Sequence, residues 1–175
     1  MNASLLIAAL ALATPAPTTA AKPSPELATK LFESVCLPYM IRGDLPAKAQ
    51  AAGGAPADDA WRTQMQIPFP TWRWGNDVAV YVNPAAKTCN IAVLGPTSQG
   101  LGAQADRYFG ARGYTSEAVD ATMATRDLRA SGVPAEMTPR YVQRLSIKDG
   151  VSITQTTVAD SPIGPFAMLS VSNII

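Results

Sequence analysis

The chain has 175 residues and a net charge of +1, with 47% hydrophobic and 15% charged residues. That length fits one domain, and the balanced charge gives no basis for a nucleic-acid or anionic-membrane partner. The absence of histidine removes Ser-His-Asp and Cys-His catalysis and most zinc and copper sites.

The N-terminus reads as an export signal. Leu5 to Ala13 is a short apolar run, too short for the ~20 residues that span a bilayer. Thr14 and Pro15 break it, and Thr19-Ala20-Ala21 offers small residues for cleavage after Ala21. No Lys or Arg precedes the run, which departs from the usual pattern and leaves an uncleaved short anchor as the rival reading. The expectation is a signal peptide over residues 1–21, a single domain over 22–175, a periplasmic or secreted location and no stable membrane insertion after cleavage.

Export gives Cys36 and Cys89 a meaning. Two cysteines in an oxidising compartment predict one disulfide. A bridge across a loop of about 50 residues is worth roughly 4 kcal/mol in the chain-entropy argument. A reactive thiol or a metal site is the weaker alternative, because there is no CxxC and no histidine.

Ser24-Pro25-Glu26 starts a helix, with a capping serine, proline at the first helical position and an acid in the first turn. Leu27, Leu31, Phe32 and Val35 recur at helical spacing and Cys36 follows, so this face should meet a sheet; Pro38 is expected to stop the helix near Leu37. Asp44 to Ala52 is a second short helix, Gly53 to Ala57 a flexible loop, and Asp58 to Trp61 a further helical turn. Ile67 to Asp77 is held extended by Pro68 and Pro70. Its Phe69, Trp72, Arg73 and Trp74 either cap one end of the core or form an exposed aromatic platform for an envelope protein or a glycan.

Val78, Val80 and Val82 alternate, as do Cys89, Ile91 and Val93 after the turn at Asn83 to Lys87, which predicts a hairpin with Cys89 facing the first helix. Ser98 should cap a helix whose Leu101, Ala105, Tyr108 and Phe109 share a face and whose stop is Gly113. Thr115 to Pro139 carries little periodicity, and Met123 to Leu128 is a strand or a surface turn. Tyr141, Leu145 and Ile147 share one parity, Asp149-Gly150 is a type I′ turn signal, and Val151 to Val158 returns. Phe166 to Ile174 is a largely apolar strand that should be central or well covered.

Gly95 to Gly102 imitates a phosphate loop between strand and helix, but Leu101 stands where the lysine belongs and Gly102 where the hydroxyl belongs, so nucleotide binding fails. Among the acids, Asp58, Asp59, Asp77, Asp106 and Glu117 offer no distinguished pair, and Asp58-Asp59 suits helix capping. The arrangement of Phe32 and Cys36 on a first helix, then Cys89-x-Ile91 before a helix ending Gly113-Tyr114, resembles small exported proteobacterial proteins of unknown function with one cysteine pair. That resemblance implies export and the disulfide, and no active site.

The predicted architecture is α+β: an antiparallel sheet of about five strands, with helices near 25–37 and 98–112 packed on one face. The predicted function is non-catalytic binding or interaction in the periplasm, through Phe69, Trp72, Arg73 and Trp74, with no cofactor, metal or catalytic residue. The alternative is a cell-envelope hydrolase working through carboxylates.

Overall fold

The structure is a computed structural model that describes residues 24–120, 122, 126, 129, 141–159 and 161–173. The predicted signal peptide, residues 1–21, and most of the stretch from Met123 to Leu128 lie outside the described residues.

All five predicted strands are present, and they form the long middle of one antiparallel sheet: β3 (Val78–Asn83), β4 (Thr88–Leu94), β6 (Tyr141–Lys148), β7 (Val151–Val158) and β8 (Phe166–Asn173). The count of five is corrected to eight by three short strands, β1 (Ala55–Pro56), β2 (Thr71–Trp74) and β5 (Thr115–Ala118). The order across the sheet is β1-β2-β3-β4-β8-β7-β6-β5. The last strand in chain order is therefore central, as its apolar run requires. Asp149 and Gly150 both take positive φ, at 51° and 75°, the pair of left-handed conformations that a type I′ hairpin needs.

One sheet face is covered by α1 (Pro25–Leu31), α3 (Leu45–Ala51) and α5 (Leu101–Gly110). Leu31, Phe32, Val35, Leu101 and Phe109 pack there on Val80, Ile91, Leu169 and Val171. The opposite face carries a smaller cluster in which Trp61 of α4 (Asp59–Gln64) meets Tyr81, Leu94, Phe166 and Met168. The capping expected at Asp58 is present, its Oδ1 accepting the Trp61 N–H at 2.7 Å.

The first helix does not stop at Pro38. A π-helical turn, Phe32–Cys36, follows α1, and α2 (Leu37–Arg42) continues with Pro38 in its first turn. Proline is tolerated there because its missing N–H is one that the first turn does not need. The π turn also solves a register problem. Leu27, Leu31 and Val35 run at i+4, as do Ala28, Phe32 and Cys36. In a plain α-helix such tracks drift by about 40° per step, which carries Cys36 off the buried stripe. A wider turn removes the drift, and Cys36 and Cys89, both fully buried, are bonded with Cα atoms 5.5 Å apart.

Two other local readings change. Ser98 does not cap α5. It lies buried in a 3-10 turn, Gly95–Gly100, where its hydroxyl donates to the Gly95 carbonyl at 2.7 Å. The Gly53–Ala57 loop is tied down: Gly54 lies under the Trp74 ring, and Ala55 and Pro56 pair with Arg73 and Trp72 as β1.

Candidate binding site

Strand β2 explains what becomes of the aromatic segment. Trp72 and Trp74 oppose Val80 and Val78 and so project to the helix-covered face, whereas Thr71 and Arg73 oppose Tyr81 and Ala79 on the α4 side. Phe69 also lies on the α4 side, stacked on Tyr81 with ring centroids 5.9 Å apart. The sheet itself therefore separates the four residues, and no single platform contains them all. Trp74 is 1% exposed, with its indole N–H donating to the Ala52 carbonyl at 2.9 Å. Trp72 and Arg73 are half-buried at the surface. The Arg73 guanidinium donates to Asn76 Oδ1 at 3.0 Å and lies 3.9 Å from Asp58 Oδ2.

Just before Phe69 the chain forms a cleft of about 500 Å³, lined by Asp59, Arg62 and Thr63 of α4 and by Gln66, Ile67 and Pro68. Asp59, Arg62 and Thr63 are spaced i, i+3 and i+4, so they share one side of the helix, and Gln66 follows just beyond its end. Arg62 grips the Asp59 carboxylate and also reaches the Phe69 carbonyl. Helix α4 ends in a Schellman arrangement, with Ile67 N–H donating to Arg62 O at 2.9 Å and Gln66 N–H to Thr63 O at 3.1 Å. The left-handed residue of that motif is normally glycine; here it is Gln66, with φ of 55°. A side chain held in that conformation costs about 1 kcal/mol relative to glycine. Gln66→Gly is accordingly expected to stabilise the protein by about that much in chemical denaturation, while removing an exposed amide from the cleft.

A second cleft, about 570 Å³, lies over α1 and the end of α3, between Leu27, Lys30, Leu31, Glu33, Ser34 and Ala52. Glu33 accepts from Arg112 Nε at 2.9 Å, and the Arg112 guanidinium sits 3.5 Å over the Tyr108 ring. The Tyr108 hydroxyl makes no hydrogen bond of good geometry. Its nearness to Glu33, followed by the Arg112 charge, still holds that carboxyl below the ordinary glutamate range. Burial pushes the Tyr108 phenol upward, and the Glu33 charge adds to that. Because Glu33 titrates lower in the folded chain, its contribution is complete above the unfolded value of about 4.3 and is lost as pH falls through the folded value. Glu33→Gln is thus expected to cost at most about 1 kcal/mol near neutrality, both groups being substantially exposed, with the difference from the parent closing in acid. Urea titrations between pH 7 and pH 3 check both the size and the sign.

Each described cleft thus holds a single carboxylate, and each carboxylate is already ion-paired with an arginine. Among the described residues no group of three metal-ligating side chains comes together. The sequence reasoning overlooked Arg62 and Gln66 because a polar stripe on a short helix is what any solvated helix shows. Their only signal was the run of residues before Ile67 with no glycine to end α4. Compared with known protein families, curated proteins and solved structures, the chain matches none.

Proposed function

We propose that the protein is an exported, non-catalytic binding module that takes an envelope protein or a glycan in the α4 cleft. Arg62, Thr63 and Gln66 supply the polar contacts, and Arg73, on the same side of the sheet, extends the contact region, whereas Trp72 lies across the sheet. Phe69 and Trp74 act from behind, one supporting the α4 side of the sheet and the other fixing β2. The observation that carries this reading is Gln66, a residue kept in a costly left-handed conformation with its exposed side chain lining a cleft. The disulfide agrees with an oxidising compartment.

A photo-crosslinking residue at position 66 is expected to capture a discrete product in intact cells, and Arg62→Ala is expected to abolish it. The same probe at exposed Ala47, on α3, serves as the control. Equal crosslinking at positions 47 and 66, or a product indifferent to Arg62→Ala, would sink the reading.

A further inference from the structure

One wall of the α4 cleft is a proline stretch. Gln66, Pro68 and Pro70 are exposed, and Ile67 and Phe69 between them are partly buried. Each proline fixes its own φ at about −65°, and the residue before each is pushed to extended backbone, so Ile67 to Pro70 has little freedom left. The stretch is also fastened to the fold. The Ile67 N–H donates to the Arg62 carbonyl at 2.9 Å, and the Phe69 ring stacks on buried Tyr81 with an interplanar angle of 7°. The Phe69 carbonyl accepts from Thr71 Oγ1 at 2.8 Å and from the Arg62 guanidinium. Extended proline-rich backbone has roughly three residues per turn, so Pro68, Phe69 and Pro70 take three separate edges. With the Phe69 edge against the sheet, both proline edges face solvent.

That wall selects the occupant. A sugar ring is held by the free face of an aromatic side chain, and no aromatic residue lines this cleft: Trp61 is 8% exposed, and the Phe69 ring is stacked on Tyr81. An added strand is refused as well, because neither proline has an N–H to give. What the cleft offers is a pair of proline rings already fixed in place, the kind of surface that an aromatic-lined groove takes up at little ordering cost. Resting on the reading of the α4 cleft as a binding site, we propose that its occupant is a protein that lays aromatic side chains across Pro68 and Pro70, and not a glycan.

Indole and N-acetylglucosamine, titrated separately into the purified chain, stand for the two kinds of occupant, and carbon–proton NMR of the proline rings reads them. Indole is expected to shift the Pro68 and Pro70 ring protons upfield in a saturable way and to leave Pro84, an exposed proline on the β3–β4 turn, unmoved. The sugar is expected to move none of the three. In intact cells, Pro68→Ala with Pro70→Ala is expected to lower capture by the crosslinker at position 66 roughly tenfold, with the attachment mapping beside an aromatic residue of a protein. Capture that this variant leaves intact, or a captured glycan, overturns the proline contact while the cleft stands as a binding site. No capture at position 66 removes the cleft itself and the proposal with it. Indole shifts as large at Pro84 as at Pro68 and Pro70 overturn the proposal whatever the crosslinker captures.

Discussion

Replacing Trp74 with alanine is expected to cost about 3–5 kcal/mol, a large share of the 5–15 kcal/mol that holds a typical domain together. The indole is 1% exposed and is pinned on two sides. Its N–H donates to the Ala52 carbonyl at 2.9 Å, and its ring lies so close to Gly54 that a Cβ there would stand 2.7 Å from Cζ2. Alanine at position 74 therefore opens a cavity and also leaves the Ala52 carbonyl without its partner. Trp74→Phe separates the two effects, keeping most of the volume and losing only the hydrogen bond, at about 1–2 kcal/mol. Gly54→Ala approaches the same contact from the other side and should be severe, because the Ala49 carbonyl, 3.0 Å from the added carbon, blocks the retreat. Urea denaturation followed by circular dichroism is the measurement. A loss below 1 kcal/mol for Trp74→Ala would mean that the indole is not enclosed and would reopen it as a contact surface.

Removing the disulfide is expected to be comparably costly. Cys36 and Cys89 lie 53 residues apart in the chain, and opening that loop in the unfolded state is worth about 4 kcal/mol. Cys36→Ala with Cys89→Ala should lower the urea midpoint accordingly. Both sulfurs are shielded completely, so reductant and alkylating agent should not reach them in the folded protein. Labelling under native conditions with dithiothreitol is expected to proceed only as fast as the chain opens, and to accelerate with urea. Rapid labelling of the native protein would contradict the burial of the bridge.

Strands β3, β4, β7 and β8 were legible because each packs against a core, which makes its inward positions apolar. Val78, Val80 and Val82 across from Cys89, Ile91 and Val93 is the plainest instance. The three missed strands lie towards the ends of the sheet, where that constraint weakens. β5 has four exposed residues and so no alternation to read. β1 is two residues with a proline, and β2 follows two prolines that resemble a loop. The helix through Pro38 was misjudged because proline stops a helix in general, and here it falls in the first turn of α2, where it is tolerated. The candidate site was less legible than the fold. The spacing of Trp72 and Trp74 does place them on one side of a strand, but not that Gly54 and α3 cover only the second. Gln66 was missed because its left-handed place at the Schellman end of α4 is one that a glycine normally marks.

The position of β8 bears on how the protein comes into being. Among the described residues, strands β1 to β4 pair with strands β5 to β7 only through residues 166–173. A chain emerging N-terminus first from a ribosome must therefore wait with two unfinished half-sheets until β8 appears. Both cysteines precede that moment, so oxidation can secure the earlier half while the later one is still being delivered. Assembly then ends with a single insertion that zips both seams at once. The long delay before that insertion makes the half-built molecule the state most exposed to proteases and to chaperones.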